Sequence, residues 1–305
     1  MNRRSLLAGS AALFALGGGA ARAQDLTSLD VAYAGSMGSM MEGPIKDGAA
    51  QTLQIAMHGI GQGSDALAKL IVGGSITPDV FIPVTPHPMM TVLTGGKATS
   101  AVPIARTEMV IAYSPKSKYA QQFADAAAGK PGAMPWWQIL EATDINFGRT
   151  DPTTDPQGRN IIFALQLAEA YYKQPGLAQM VLINTINPAQ IFSEPTVQAR
   201  LQSGELDAAS AYKIQPGPFN LPYVTLPKEI NLGDASMHEA YKATSLLLGD
   251  KTYTPEPLVY YAAVLDASPH KDKATAFVNW LSGGAAPIFR KYFYDPPLGA
   301  APLHA

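Results

Sequence analysis

Cysteine is missing altogether from the 305 residues. Its absence excludes disulfide staples, thiolate metal sites and cysteine nucleophiles, and leaves stability to a hydrophobic core. Histidine is scarce: the five residues are His58, His87, His238, His270 and His304. None forms an H-x-x-x-H or H-E-x-x-H spacing, so the two-histidine helix face of a zinc hydrolase is lacking. Charged residues make up only 15%. Beyond the first twenty residues, no apolar run approaches the ~20 needed to span a bilayer. The chain also has no G-x-S-x-G elbow, no phosphate loop with G-K-[ST] and no G-x-G-x-x-G fingerprint.

What is there begins with a leader. The basic Asn2-Arg3-Arg4 precedes an apolar stretch, Leu6–Ala20, and then Ala21-Arg22-Ala23, an A-x-A cleavage pattern. This predicts a cleavable export signal over residues 1–23, of the general (Sec) or twin-arginine kind, and a periplasmic mature chain. Losing the leader's three arginines takes the formal net charge from −2 to −5. That mild acidity argues against nucleic acid and anionic membranes as partners. The remaining length suits two domains, each with its own core.

Strand and helix patterns alternate through the mature chain. Leu29–Tyr33, Asp79–Ile82, Glu108–Tyr113, Asp207–Tyr212 and Leu258–Leu265 read as strands. Gly61–Ser64 reads as a glycine loop feeding a helix that carries Leu67, Leu70 and Ile71. Ile161, Leu165, Ala168 and Tyr172 share one helical face, and Thr196–Ser203 and the region of Phe277–Leu281 give further helices. The pattern predicts α/β architecture with ligands bound beyond strand ends, where helices begin. No Pro/Gly/Ser-rich linker divides the chain, which favours two domains joined by crossing strands.

Several side chains are candidates for chemistry. Ser36 and Ser64 lie at strand-to-helix turns beside glycines, placed either to cap a helix or to offer hydroxyl and N–H to a ligand. Asp155-Pro156 has the chemistry of a helix start, Asp as N-cap and Pro as first helical residue. The N–H groups there form a natural anion seat. Asp151-Pro152 reads as a turn. Arg149 and Arg159 either pair with these acids at the surface, the default reading, or attract an anion. Tyr212 ends a strand, where its hydroxyl either faces a ligand or fills the core. Tyr171-Tyr172 and Tyr260-Tyr261 invite a ferric reading, but adjacent side chains diverge, so each pair reads as one buried and one peripheral ring.

Together these segments resemble the solute-binding proteins of molybdate/tungstate ABC importers, especially the tungstate-type branch. The resembling stretches cover most of the mature chain in family order. They are AGS at Ala34–Ser36, Gly63-Ser64, PDVFI at Pro78–Ile82, EMVIAYSPKSKYA at Glu108–Ala120, GRTDPTTDPQGR at Gly148–Arg159, LQSGELDAASAYK at Leu201–Lys213 and LPKEINLGD at Leu226–Asp234. The resemblance implies a two-lobed periplasmic-binding-protein (type II) fold with the ligand cleft between lobes joined by two hinge strands. Lobe 1 would hold residues 24–107 and 226–305, and lobe 2 residues 108–225. The function implied is capture of tungstate or molybdate as a monomer, with no cofactor and no catalysis, for delivery to an inner-membrane ABC permease. The ligand-binding residues implied are Ser36, Ser64, Asp155, Pro156, Tyr212 and Glu194. Asp155 would also be a metal ligand if the oxyanion's central atom is directly coordinated.

The chain departs from the family at Ala211, where the tungstate-type branch has a glutamate whose carboxylate, with that of the Asp matched by Asp155, can complete six-coordination. A lesser departure is Thr85, where the family often has an aspartate. The residues leave open a receptor for another small anion or a ferric complex, and an exported hydrolase or sensor domain on the same fold.

Overall fold

A computed structural model describes residues 26–305. The expected leader, residues 1–23, lies outside the described residues. Strands in chain order are β1 (Thr27–Ala34), β2 (Ile55–Gln62), β3 (Val80–Ile82), β4 (Ser100–Arg106), β5 (Met109–Tyr113) and β6 (Phe147–Gly148). They continue with β7 (Ala208–Tyr212), β8 (Tyr223–Thr225), β9 (Leu246–Leu248), β10 (Lys251–Tyr253), β11 (Val259–Val264) and β12 (Leu303–His304). The helices that matter below are α1 (Lys46–Leu53), α2 (Ser64–Val72), α3 (Pro86–Thr94), α4 (Pro156–Tyr172), α5 (Leu177–Leu182), α6 (Glu194–Ser203) and α7 (Lys271–Ser282). No helix among the described residues is long and apolar enough to cross a membrane.

Two sheets organise the chain into two α/β lobes. A six-stranded mixed sheet has the order β12-β4-β11-β3-β1-β2, and a four-stranded sheet the order β6-β7-β5-β8. In the larger sheet β1 runs parallel to β2 and β3, while β11 runs antiparallel to β3 and β4. In the smaller sheet β5 is antiparallel to both β7 and β8. The chain passes from one sheet to the other at 107–108 and leaves the smaller sheet after Thr225.

Strands covered on both faces feed two cores at once. On β7 every residue is buried. Ala208 and Tyr212 join the large core with Ile161 and Leu165 of α4, whereas Ala209 and Ala211 join a small one with Val197 and Leu201 of α6. The period-two alternation of a strand makes that division, and small side chains let the helices pack closely. Tyr260 and Tyr261 divide in the same way. Both are buried, at 0% and 4% exposure, so neither ring of this pair is peripheral as the sequence suggested. Tyr171 is exposed, while Tyr172 packs on Trp136 and Trp137.

Two boundaries differ from the sequence reading and one agrees. The helix start read at Asp155-Pro156 is where α4 begins, whereas the helix expected from Thr196 begins at Glu194. Each has Pro in its first turn, where the missing N–H costs nothing. The expected glycine loop shrinks to Gly63, because β2 runs on to Gln62. Its glycines make room for a neighbour: a Cβ on Gly61 would lie 2.9 Å from the Tyr33 ring.

Candidate functional site

A cleft of about 600 Å³ lies between the two sheets. Gly35, Ser36, Gly63 and Ser64, at the ends of β1 and β2, line one wall; Asp155–Gln157, Phe192–Glu194 and Tyr212 line the other. All six side chains singled out in the sequence, Ser36, Ser64, Asp155, Pro156, Glu194 and Tyr212, therefore meet in one place.

Three helices begin here. Ser64, Pro156 and Glu194 are the first residues of α2, α4 and α6. The opening N–H groups of a helix have no intrahelical acceptor, and the dipole makes that end positive. None of the residues lining this cleft is Lys, Arg or His. What the cleft offers an anion thus comes from oriented backbone rather than from cationic side chains.

The serines do not serve as caps, one of the two roles the sequence allowed. Ser64 follows the N-cap Gly63, and Ser36 lies within a 3-10 turn capped by Ala34. The buried Ser64 Oγ accepts from the Val84 N–H at 3.2 Å. Ser36 Oγ and the Tyr260 hydroxyl share a hydrogen bond of 3.1 Å. Ser64 Oγ is held as an acceptor, so its own proton is free for a second partner. The same holds for Tyr212, whose hydroxyl accepts from Asn160 Nδ2 at 3.0 Å. Burial raises the Tyr212 and Tyr260 hydroxyls above the ordinary tyrosine range and keeps both protonated.

Asp155 is the N-cap of α4, its Oδ1 accepting from Gln157 N at 2.8 Å. Asp151 caps its own turn through Thr153 N. Gly158 lets the two meet, because a Cβ there would fall on the Thr150 carbonyl oxygen. Burial raises the Asp155 carboxyl above its ordinary range against the pull of the Gln157 N–H. Glu194 is raised too, first by burial and further by the charge of Asp155, while the Gln215 amide opposes the shift.

Two residues that sequence reasoning did not place in a functional role hold this wall together. The buried Gln215 donates from Nε2 to Glu194 Oε1 at 2.7 Å and to Gln157 Oε1 at 2.9 Å, and accepts from Tyr212 N at 2.6 Å. Arg149, expected at the surface, is fully buried. Its Nη2 donates to the carbonyls of Asn184 and Thr185 at 3.0 and 2.8 Å, and its Nε to Gln190 Oε1 at 3.1 Å. Burial pushes its guanidinium down to about 10. Its backbone pairs with Ile191, so Arg149 fixes the segment leading into Glu194. Among the described residues Arg159 likewise pairs with no acid; it donates to the Pro152 carbonyl at 3.1 Å and stacks 4.5 Å from the Tyr253 ring centroid.

Among the described residues, no group of three or more His, Asp or Glu is disposed to hold a metal ion.

Known proteins resemble this chain to different extents. A family model described as bacterial extracellular solute-binding protein matches residues 29–295. A molybdate/tungstate-binding protein of Pyrococcus abyssi is 34% identical over 219 residues, covering 64% of this chain and 62% of that protein. Its counterpart in Thermococcus kodakarensis is 32% identical over 200 residues, covering 59% and 55%. The matches thus span little more than half of each relative's length. Among solved structures, the Azotobacter vinelandii periplasmic molybdate-binding protein aligns with a TM-score of 0.59 at 18% identity, over 87% of this chain and 98% of that one. At that identity the likeness shows a common fold.

Proposed function

The chain belongs to the bacterial extracellular solute-binding proteins, and from that membership we propose that it captures a tetrahedral oxyanion, tungstate or molybdate, for an ABC importer. The observation that carries this reading is the convergence of three helix N-termini on a cleft that also holds two serine hydroxyls. The relatives named for molybdate and tungstate agree with it.

The donors suffice in number. About five charge-assisted hydrogen bonds at ~1.5–3 kcal/mol each give ~8–15 kcal/mol. Micromolar to nanomolar affinity takes ~8–12 kcal/mol. Ser36, Ser64 and Tyr212 would donate hydroxyl protons, and the openings of α2 and α6 their N–H groups. Protonated phenols suit donation to an oxyanion better than tyrosinate coordination of a ferric ion.

In this reading the protein acts by capture and closure, without a chemical step. Lobe 1 comprises 24–107 and 226–305, lobe 2 comprises 108–225, and the crossings at 107–108 and after Thr225 are the hinges. A leader over 1–23 would deliver the chain to the periplasm, where the closed, loaded monomer docks on the importer's permease.

The acids in the cleft set a condition on any dianion. At an effective dielectric of ~20, an ionised carboxylate ~4 Å from each unit of negative charge costs about 4 kcal/mol. Protonating a carboxyl of ordinary pKa ~4.3 at pH 7 costs about 3.7 kcal/mol. Against a dianion the repulsion roughly doubles, so one carboxyl is more stable protonated.

Calorimetric titration with tungstate, molybdate, sulfate and phosphate tests the proposal. Heat and saturation with tungstate or molybdate are expected, and silence with all four would reject it. Changing Ser36 and Ser64 together to Ala is expected to abolish binding; unchanged affinity would remove these serines from the site.

A further inference from the structure

Glu194 and Asp155 face one cleft whose lining has no cationic side chain, yet they are held differently. Asp155 Oδ1 is committed to the Gln157 N–H, a bond that favours an ionised acceptor. Glu194 Oε1 receives only the neutral amide of Gln215, and among the described residues no hydrogen bond reaches Oε2. The titratable groups that line the cleft with Glu194 are Asp151, Asp155 at the start of α4 and Tyr212 of β7, and the buried hydroxyls of Tyr260 and Tyr294 are close enough to be raised by its charge. Arg200, on the same helix as Glu194, stacks on the Phe192 ring and pairs with Glu205 at 3.5 Å rather than with Glu194. Nothing cationic offsets Glu194 when an anion enters.

We propose that Glu194 is the cleft's proton-carrying ligand group: one proton from solvent enters with each oxyanion, on Glu194 Oε2, and is donated to a ligand oxygen while Gln215 fixes Oε1. The proposal rests on the oxyanion reading of the cleft. Only an O–H bond forms, and the solvent or buffer supplies the proton. Protonation turns an unfavourable wall group into a donor and leaves the Gln215 bond intact, because an amide N–H serves a carboxylic acid's carbonyl oxygen as well as a carboxylate. Burial raises both carboxyls, but Asp155 is held by the Gln157 N–H while Glu194 keeps an oxygen without a hydrogen bond among the described residues, so Glu194 is the group that yields. The outcome is specificity by protonation state: the loaded site carries the dianion plus one proton.

The test is titration of tungstate into the full mature chain at about pH 8, in buffers of differing ionisation enthalpy. The slope of apparent heat against buffer enthalpy is expected to show about one proton taken up. Affinity is expected to fall about tenfold per pH unit above the free carboxyl's titration. Glu194→Gln, which carries a permanent N–H donor of the same shape, is expected to bind with near-zero uptake and a flat pH profile. Wild-type binding without proton uptake would overturn the proposal, as would Glu194→Gln with unchanged uptake. Loss of binding in a normally folded Glu194→Gln would overturn it too, since it would mean that the carboxylate itself bonds the ligand. If wild type binds none of the four oxyanions, the reading of the cleft fails first, and this proposal with it.

Discussion

Lys213 and Asp295 form a two-pronged ion pair, with Nζ 2.9 and 2.7 Å from the two carboxylate oxygens. Lys213 follows β7 of the smaller sheet, and Asp295 bridges to Arg106 at the end of β4 in the larger one. Beside the pair stands Glu108, 3.9 Å from both Lys213 and Arg106. The pair therefore ties the sheets together next to the proposed hinge. It is partly exposed, so its coupling is expected to be about 1 kcal/mol, weakening with salt. A double-mutant cycle of Lys213→Met and Asp295→Asn, followed by denaturant unfolding at low and high salt, measures it. Zero coupling at low salt would show that the contact does not hold the sheets.

Arg149 is expected to be intolerant of its closest replacement. Lysine keeps the charge but not the planar fork that reaches the Asn184 and Thr185 carbonyls and Gln190. Leaving those buried acceptors without donors should cost about 2–4 kcal/mol. Hydrogen exchange should rise first across residues 184–193, and oxyanion affinity should drop with it. Uniform destabilisation with unchanged exchange in that segment would contradict a positioning role.

Stability should respond to pH through buried acids. Burial raises the carboxyls of Asp155, Glu194 and Glu108. The native state therefore holds more protons than the unfolded chain between the ordinary carboxylate pKa and the raised values. Unliganded stability should increase as pH falls from 7 towards about 5. The trend reverses below about 4, where Asp234, held low by the Ser236 hydroxyl, loses its contribution. Denaturation midpoints across this range check the sign. Glu108→Gln should flatten part of the slope, and so should Asp155→Asn, which keeps a capping side chain.

Local rules carried the sequence part of the way to the site. Asp155-Pro156 could be read as a helix start because capping chemistry involves only neighbouring residues. Ser36 and Ser64 could be placed at strand ends, but not assigned a bonding partner, since Tyr260 and Val84 are distant in the chain. Gln215 gave no sign at all. An amide in a polar turn is ordinary, and its three bonds arise only when β7, α4 and α6 converge. Arg149 failed for the same reason: charge next to an acid in sequence suggested pairing, whereas folding surrounded it with carbonyls. Glu194 was reached as a ligand group only through family resemblance, whereas the strand-end position of Tyr212 left a ligand role and a core role open until the resemblance favoured the first.

The position of β11 bears on how the chain is assembled. It lies between β3 and β4, yet it is made only at residues 259–264. Until then a growing chain holds β1, β2 and β3 apart from β4, with no strand to zip them together. The smaller sheet is complete once Thr225 has emerged. Synthesis and folding thus run out of step: the inner piece can close early, while the outer one waits for the last sixth or so of the polypeptide. A truncation ending before Val259 is expected to show a protease-resistant core over about 108–225 and a labile N-terminal third.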